Sequence, residues 1–145
     1  MNEATFIEEE FQANGINRII EEILKNAGHD PRLARQAPNS WEITQGSARI
    51  SISYYEPGGL ISGDAMLCEL PKEHSKQAYE FLLRQNFELE GLTLSVDGQA
   101  VVLSLIIFDR YLNLETGQRL FQHLFEKADY FDNILVEQFG ATWKS

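Results

Sequence analysis

The chain has 145 residues, 43% hydrophobic and 23% charged, a composition that fits one compact domain able to bury its own core without disulfides or metals. Twelve Lys and Arg against 22 Asp and Glu leave a net charge of −10, and such a surface repels phosphate backbones and anionic headgroups, so neither nucleic acid nor membrane is an expected partner. The single Cys68 admits no internal disulfide, the glutamate-rich start lacks a signal-peptide pattern, and the apolar stretch near Leu103 to Phe108 is far shorter than the roughly 20 residues of a membrane span; the expectation is a cytoplasmic protein.

From Ile16 the residues Ile19, Ile20, Ile23, Leu24 and Ala27 recur at three- and four-residue steps and end at Gly28, which predicts a first helix. Before it, Phe6, Ile7 and Phe11 among glutamates, followed by Asn14-Gly15, predict a short extra helix or extension joined by a turn. His29 to Asn39, with Pro31 and Pro38 and no period, reads as a loop. The period then changes to two. Trp41, Ile43, Ala48, Ile50, Ile52 and Tyr54 alternate with polar neighbours, Gln45-Gly46-Ser47 marks a tight turn, and Glu56 to Gly59 leads to a third strand from about Leu60 to Glu69.

Pro71 suits the first turn of a second helix whose face is Ala78, Tyr79, Leu82, Leu83 and Asn86. Leu92, Leu94 and Val96 then form a strand that turns at Asp97-Gly98 into a partner strand from Ala100 to Phe108. Apolar residues on both faces of that partner strand predict cover on two sides, by helices or by another copy of the protein. Asn113 caps a last helix of about 26 residues with the stripe Leu120, Leu124, Ala128, Phe131, Leu135 and Phe139, ended by Gly140. The order is an α+β domain with helices packed on an antiparallel sheet.

Candidates for chemistry are scattered. His29 follows the first helix in a turn-forming His-Asp-Pro sequence, His74 falls at the start of the second helix, and His123 sits on the outer part of the last. His74 could pair with Cys68 to activate a thiolate, or with Glu73, but Cys68 lies in an apolar strand beside Met66, where a structural thiol is expected. Gly58, Gly59 and Gly63 lack the Gly-Lys-Ser/Thr ending of a phosphate loop. Glu8 to Glu10, and Glu126, Asp129 and Asp132, lack a calcium-loop pattern and read as solvated helix faces. Lys25, Arg32 and Arg35 are too few to make a nucleic-acid patch. No catalytic, metal or cofactor residue is assigned.

The segments Leu70-Pro71, Leu82-Leu83-Arg84-Gln85-Asn86, Asp97-Gly98 and Ala128-Asp129-Tyr130-Phe131-Asp132 occur in an order that carries a likeness. With Trp41 before Gly46-Ser47-Ala48, and Leu135 to Phe139-Gly140 closing, the chain resembles the YbjN-like family from about Ile16 to Gly140. That family shares the fold of the class I type III secretion chaperones. The resemblance implies an α-β-β-β-α-β-β-α domain over residues 16–140, with 1–15 an N-terminal extension and 141–145 a tail. It also implies a bacterial protein, often dimeric, that binds other proteins without catalysis. YbjN-like members are commonly labelled regulators of sensory transduction, and the chaperones wrap extended segments of secreted proteins. A homodimer and an unidentified protein partner are therefore expected, with a true secretion chaperone as one alternative and a small enzyme using Cys68 and His74 as the other. The surplus apolar residues name the interface candidates: Leu103, Leu105, Ile107, Ile61, Leu67, Phe121 and Phe125.

Overall fold

The computed structural model describes residues 3–73 and 75–143, with side chains described from residue 15 onward. Helix α1 (Glu3–Asn26) runs without a break through Asn14-Gly15, so the expected turn is absent. No proline interrupts it, and one internal glycine costs only about 1 kcal/mol relative to alanine. The helix buries Ile16, Ile20, Ile23 and Leu24. It stops where Gly28 turns left-handed (φ 91°) and the His29 amide donates back to the Leu24 carbonyl at 2.9 Å.

The expected loop after α1 is instead a short helix, α2 (Pro31–Ala34), and an edge strand, β1 (Arg35–Ala37). Pro31 stands in the first turn of α2, where its missing N–H is no loss, and the Asp30 carboxylate caps the turn by accepting from the Arg32 amide at 2.9 Å. Strands β2 (Ser40–Gln45) and β3 (Ala48–Tyr55) form a hairpin closed by Gly46 at φ 60°, and β4 (Leu60–Glu69) returns antiparallel to β3. Helix α3 covers Lys76–Glu88, starting later than Pro71 would have it. Strands β5 (Thr93–Asp97) and β6 (Ala100–Phe108) make the Asp97-Gly98 hairpin. Helix α4 (Leu114–Phe139) is capped by Asn113, whose side chain accepts from the Thr116 amide, and ends at left-handed Gly140. A two-residue strand, β7 (Thr142–Trp143), pairs with β4, so part of the expected tail joins the sheet.

The sheet order is β1-β2-β3-β4-β6-β5, with β7 on β4 and every pairing antiparallel. Helix α4 lies on one face of this sheet, and α1 packs against α4. On that face Ile50, Ile52, Ile61, Leu103 and Leu105 meet Phe121, Leu124 and Phe131, all at 1% exposure or less. A fully buried side chain of this size contributes roughly 1.5–3 kcal/mol. Gly63 lets the helix come close, since a Cβ there would sit 3.1 Å from Leu124, 3.2 Å from Leu105 and 3.3 Å from Phe121.

The β6 expectation fails in a specific way. Val101, Leu103 and Leu105 face the helices, but Val102, Ser104, Ile106 and Phe108 alternate onto the opposite face, where no second layer among the described residues buries them: Ile106 is 63% exposed. The strand is covered on one side.

Candidate protein-interaction surface

Of the seven expected interface residues, Ile61, Leu67, Leu103, Leu105, Phe121 and Phe125 are buried in the chain's own core, and Ile107 is half-buried against it. This corrects their assignment: α4 and α1 supply the cover that a second copy was expected to give. Two grooves beside α4 still touch this set. Phe125 floors one of about 260 Å³, with Ile23, Asn26, Gln45, Gln118 and Gln122 around it. Ile107 and Leu120 line a shallower one of about 580 Å³ rimmed by Glu90, Arg119, His123 and Glu126.

The apolar surface available to a partner lies elsewhere, and its first part is the uncovered sheet face. The register aligns Tyr55, Leu60 and Phe108 across β3, β4 and β6, with Ile106 in the next row opposite Ser62. Tyr55, Ile106 and Phe108 are exposed, and Tyr111 just after β6 is exposed too. The Arg110 guanidinium lies over both aromatic neighbours, 5.2 Å from the Phe108 centroid and 4.9 Å from that of Tyr111. Such a cation–π contact holds the rings in place while leaving them in water. Toward the middle of the face the chemistry turns polar, with Ser51, Ser53 and Asp64, where the Ser104 hydroxyl donates to the Asp64 carboxylate at 2.7 Å. The patch is therefore confined to one end of the sheet.

The second part is α3, which buries Ala78 and Leu82 on one side and turns Leu83 and Phe87 outward. Phe87 is 93% exposed. Beside it, β5 is the sheet's edge strand, a position that exposes unpaired N–H and C=O groups. Asn86 of α3 covers one such pair, its amide donating to the Leu94 carbonyl at 3.0 Å and its oxygen accepting from the Leu94 amide at 2.7 Å. Strand pairing at that point is blocked, so the helix face is the part of this edge open to docking. The sequence pattern places Leu83 on the same helix face as Ala78 and Leu82 and gives Phe87 no role. The signal that could have found them was two large apolar residues four apart on the side away from Ala78 and Leu82.

The chemical candidates do not assemble. Cys68 is 1% exposed and its thiol is pushed up to about 12, first by burial and then by the Asp132 carboxylate; this is the reverse of an activated thiolate. His74 lies outside the described residues. His29 contacts Gln45 (Nε2 to Oε1, 3.3 Å) and sets its ring edge-on to Phe125, a packing role, while His123 stands on the rim of the shallow groove. Among the described residues no three His, Cys, Asp or Glu side chains converge as a metal site. Nor is any helix among them long and apolar enough to cross a membrane. Asp129 is solvated as expected, but Asp132 is not: it is completely buried, and burial raises its pKa before any neighbour acts.

No family model matches the chain, and no curated protein does. Solved structures match over most of its length. A chain of the ExsC–ExsE complex covers 85% of it and 95% of itself at 17% identity, with a TM-score of 0.65. The fold is that of YbjN and the type III secretion chaperones. YbjN from E. coli aligns over 86% of this chain and 93% of its own (11% identity, TM-score 0.62). A chain from the Yersinia pestis secretion chaperone SycH in complex with a YscM2 fragment aligns over 78% and 96% (14% identity, TM-score 0.58). At such identities it is the chaperone-like architecture that is shared, here built with one sheet face bare and α3 set beside the edge strand.

Proposed function

We propose that this chain is a cytoplasmic, non-enzymatic protein-interaction domain, a regulator or chaperone-like binder that holds another protein on the bare end of its sheet and associates with a second copy through α3. The observation that carries this reading is where large apolar side chains meet water: Tyr55, Ile106, Phe108 and Tyr111 gather at one end of one face, and Leu83 and Phe87 on one helix. Side chains of this size are seldom clustered in water unless something covers them. An aromatic patch with one stacked Arg and a serine-rich border also has the make-up of a protein-binding centre and rim. The opposing reading, a small enzyme at Cys68, finds no support in a buried thiol that keeps its proton.

A narrower reading makes the bound protein an extended effector segment, as in a secretion chaperone. Structural neighbours such as the HopA1–SchA chaperone–effector complex favour it. Affinity capture with the wild-type chain and with an Ile106→Asp, Phe108→Asp variant tests the proposal. Both substituted positions are outward and exposed, so the variant keeps its circular dichroism and melting profile. Loss in the variant of a protein retained by the wild type is expected; equal retention by both would remove the sheet end from the function.

A further inference from the structure

The strand register lays the bare sheet face out in rows. Tyr55, Leu60 and Phe108 form the row at its apolar end, and the next row inward is Ser53, Ser62 and Ile106. Beyond it come Ser51, Asp64 and Ser104. The Asp64 side chain is half-buried, and the Ser104 hydroxyl donates to its Oδ1 at 2.7 Å. Neither Lys nor Arg pairs with this carboxylate among the described residues. Arg49, one row further and one strand over, is turned to Glu42 instead, with its Nε 3.3 Å from a carboxylate oxygen. At the aromatic end the Arg110 guanidinium lies over Phe108 and Tyr111. An uncompensated negative charge therefore stands just inside the apolar patch, and a positive one at its outer limit.

The neighbours of Asp64 on this face are short. Ser51 and Ser104 flank it within its row, and Ser62 precedes it on β4 toward Ile106. Their hydroxyl oxygens can accept further hydrogen bonds, so the carboxylate and its surroundings match a group rich in N–H donors, an ammonium or a guanidinium. The spacing is equally definite. Residues on one face of a strand recur about every 6.7 Å and neighbouring strands lie about 4.8 Å apart, which puts Asp64 about 8 Å from Ile106 across the sheet. An extended segment laid along β4 and β6 has the same two-residue period. Side chains at its positions i and i+2 that cover the Phe108 and Ile106 rows therefore bring the one at i+4 over Asp64.

We infer that the segment held on the bare sheet end is extended and carries a lysine or arginine received by Asp64, two positions beyond the apolar side chain that covers Ile106. This rests on the reading of that end as a protein-binding surface and adds to it the chemistry of the partner. Charge complementarity selects the occupant. A purely apolar segment would dehydrate the Asp64 carboxylate without supplying a counter-ion, and an acidic one would meet like charge. A basic side chain at the aromatic end would face Arg110, so the inner end is where the cation belongs. The net charge of −10 attracts any basic segment from a distance, whereas Asp64 makes the position of the charge matter.

The probes are two short capped peptides of identical composition, each with two leucines two positions apart and a single lysine, titrated into the isotope-labelled full chain and followed by NMR. In one the lysine stands two positions past the second leucine; in the other it is moved by one position, onto the opposite side of the extended chain. The first shifts the signals of Asp64, Ser104 and Ile106 and binds about fivefold more tightly than its isomer, the upper range of a solvent-accessible ion pair. Asp64→Asn, which keeps an acceptor for the Ser104 hydroxyl, binds both peptides alike at the weaker value. Equal binding of the isomers by the wild type, or a preference that survives in Asp64→Asn, overturns the assignment of the cation and leaves the sheet end as a binding surface. Absence of shifts at these residues with both peptides overturns it as well, and the capture experiment with the Ile106→Asp, Phe108→Asp variant then reports separately whether the sheet end holds a protein at all.

Discussion

Leu105 and Leu124 face one another across the space that Gly63 leaves open, and both are at most 1% exposed. Truncating either to alanine removes packed atoms that the rigid sheet cannot replace, a loss of about 2–5 kcal/mol measurable by urea unfolding; a near-neutral result at both would contradict the core described above. Tyr54 offers a second test at this scale. Its hydroxyl donates to Asp109 at 2.7 Å, and burial first, then that carboxylate, push its pKa well above the ordinary tyrosine value. The ultraviolet titration of the chain therefore contains a late tyrosine step, and Tyr54→Phe deletes it. Because the folded-state value is raised, its stabilising share is present below about pH 10 and disappears as pH climbs through the folded value. Alternation in the sequence placed Ile50, Ile52 and Tyr54 on the inward side without error. What it could not distinguish is whether cover comes from the chain's own helix or from a partner, and for that reason Leu103 and Phe121 were offered as interface residues although α4 and the sheet cover each other. Asp132 was misread for a related reason, since helical spacing puts it near Asp129 but says nothing of the turn lying over it.

At the level of elements, the signals that survived are those with local chemistry behind them. Asn113 caps α4 by its own side chain and Gly140 ends it in a conformation other residues avoid. The Asp97-Gly98 turn fixes the β5–β6 register. Elements set by distant partners were missed: β1 exists because β2 offers it an edge, and β7 because β4 outruns β3. Prolines around β1 pointed to a loop, although Pro31 sits harmlessly in a helical first turn. The contact between α3 and β5 was equally illegible, because Asn86 lies eight residues before the Leu94 backbone that it brackets. Asn86→Ala removes both hydrogen bonds, each worth about 0.5–1.5 kcal/mol net. The Leu94 amide should then exchange faster, and the freed edge should raise the tendency of strands from different molecules to pair. An unchanged Leu94 exchange rate would show that α3 does not guard this edge.

For the molecule as a whole, self-association sets apolar gain against electrostatic cost. Two copies docked by α3 cover Leu83 and Phe87 symmetrically, as a two-fold contact requires. They also bring together two chains that each carry a charge of −10. Repulsion between exposed charges is screened over a Debye length of about 10 Å at 0.1 M salt and about 3 Å at 1 M, whereas burial of phenylalanine and leucine is not weakened by salt. The two contributions therefore separate experimentally. Light scattering on the wild-type chain should show the mass moving from 16.6 kDa toward twice that value as salt is raised at fixed protein concentration. Leu83→Glu with Phe87→Glu changes two solvent-facing positions, leaving the thermal melt of the monomer in place, and should hold the mass at one chain at every salt concentration. A wild type that remains monomeric throughout, or a variant that associates as the wild type does, would rule out α3 as the contact and leave Phe87 without a reason to be in water.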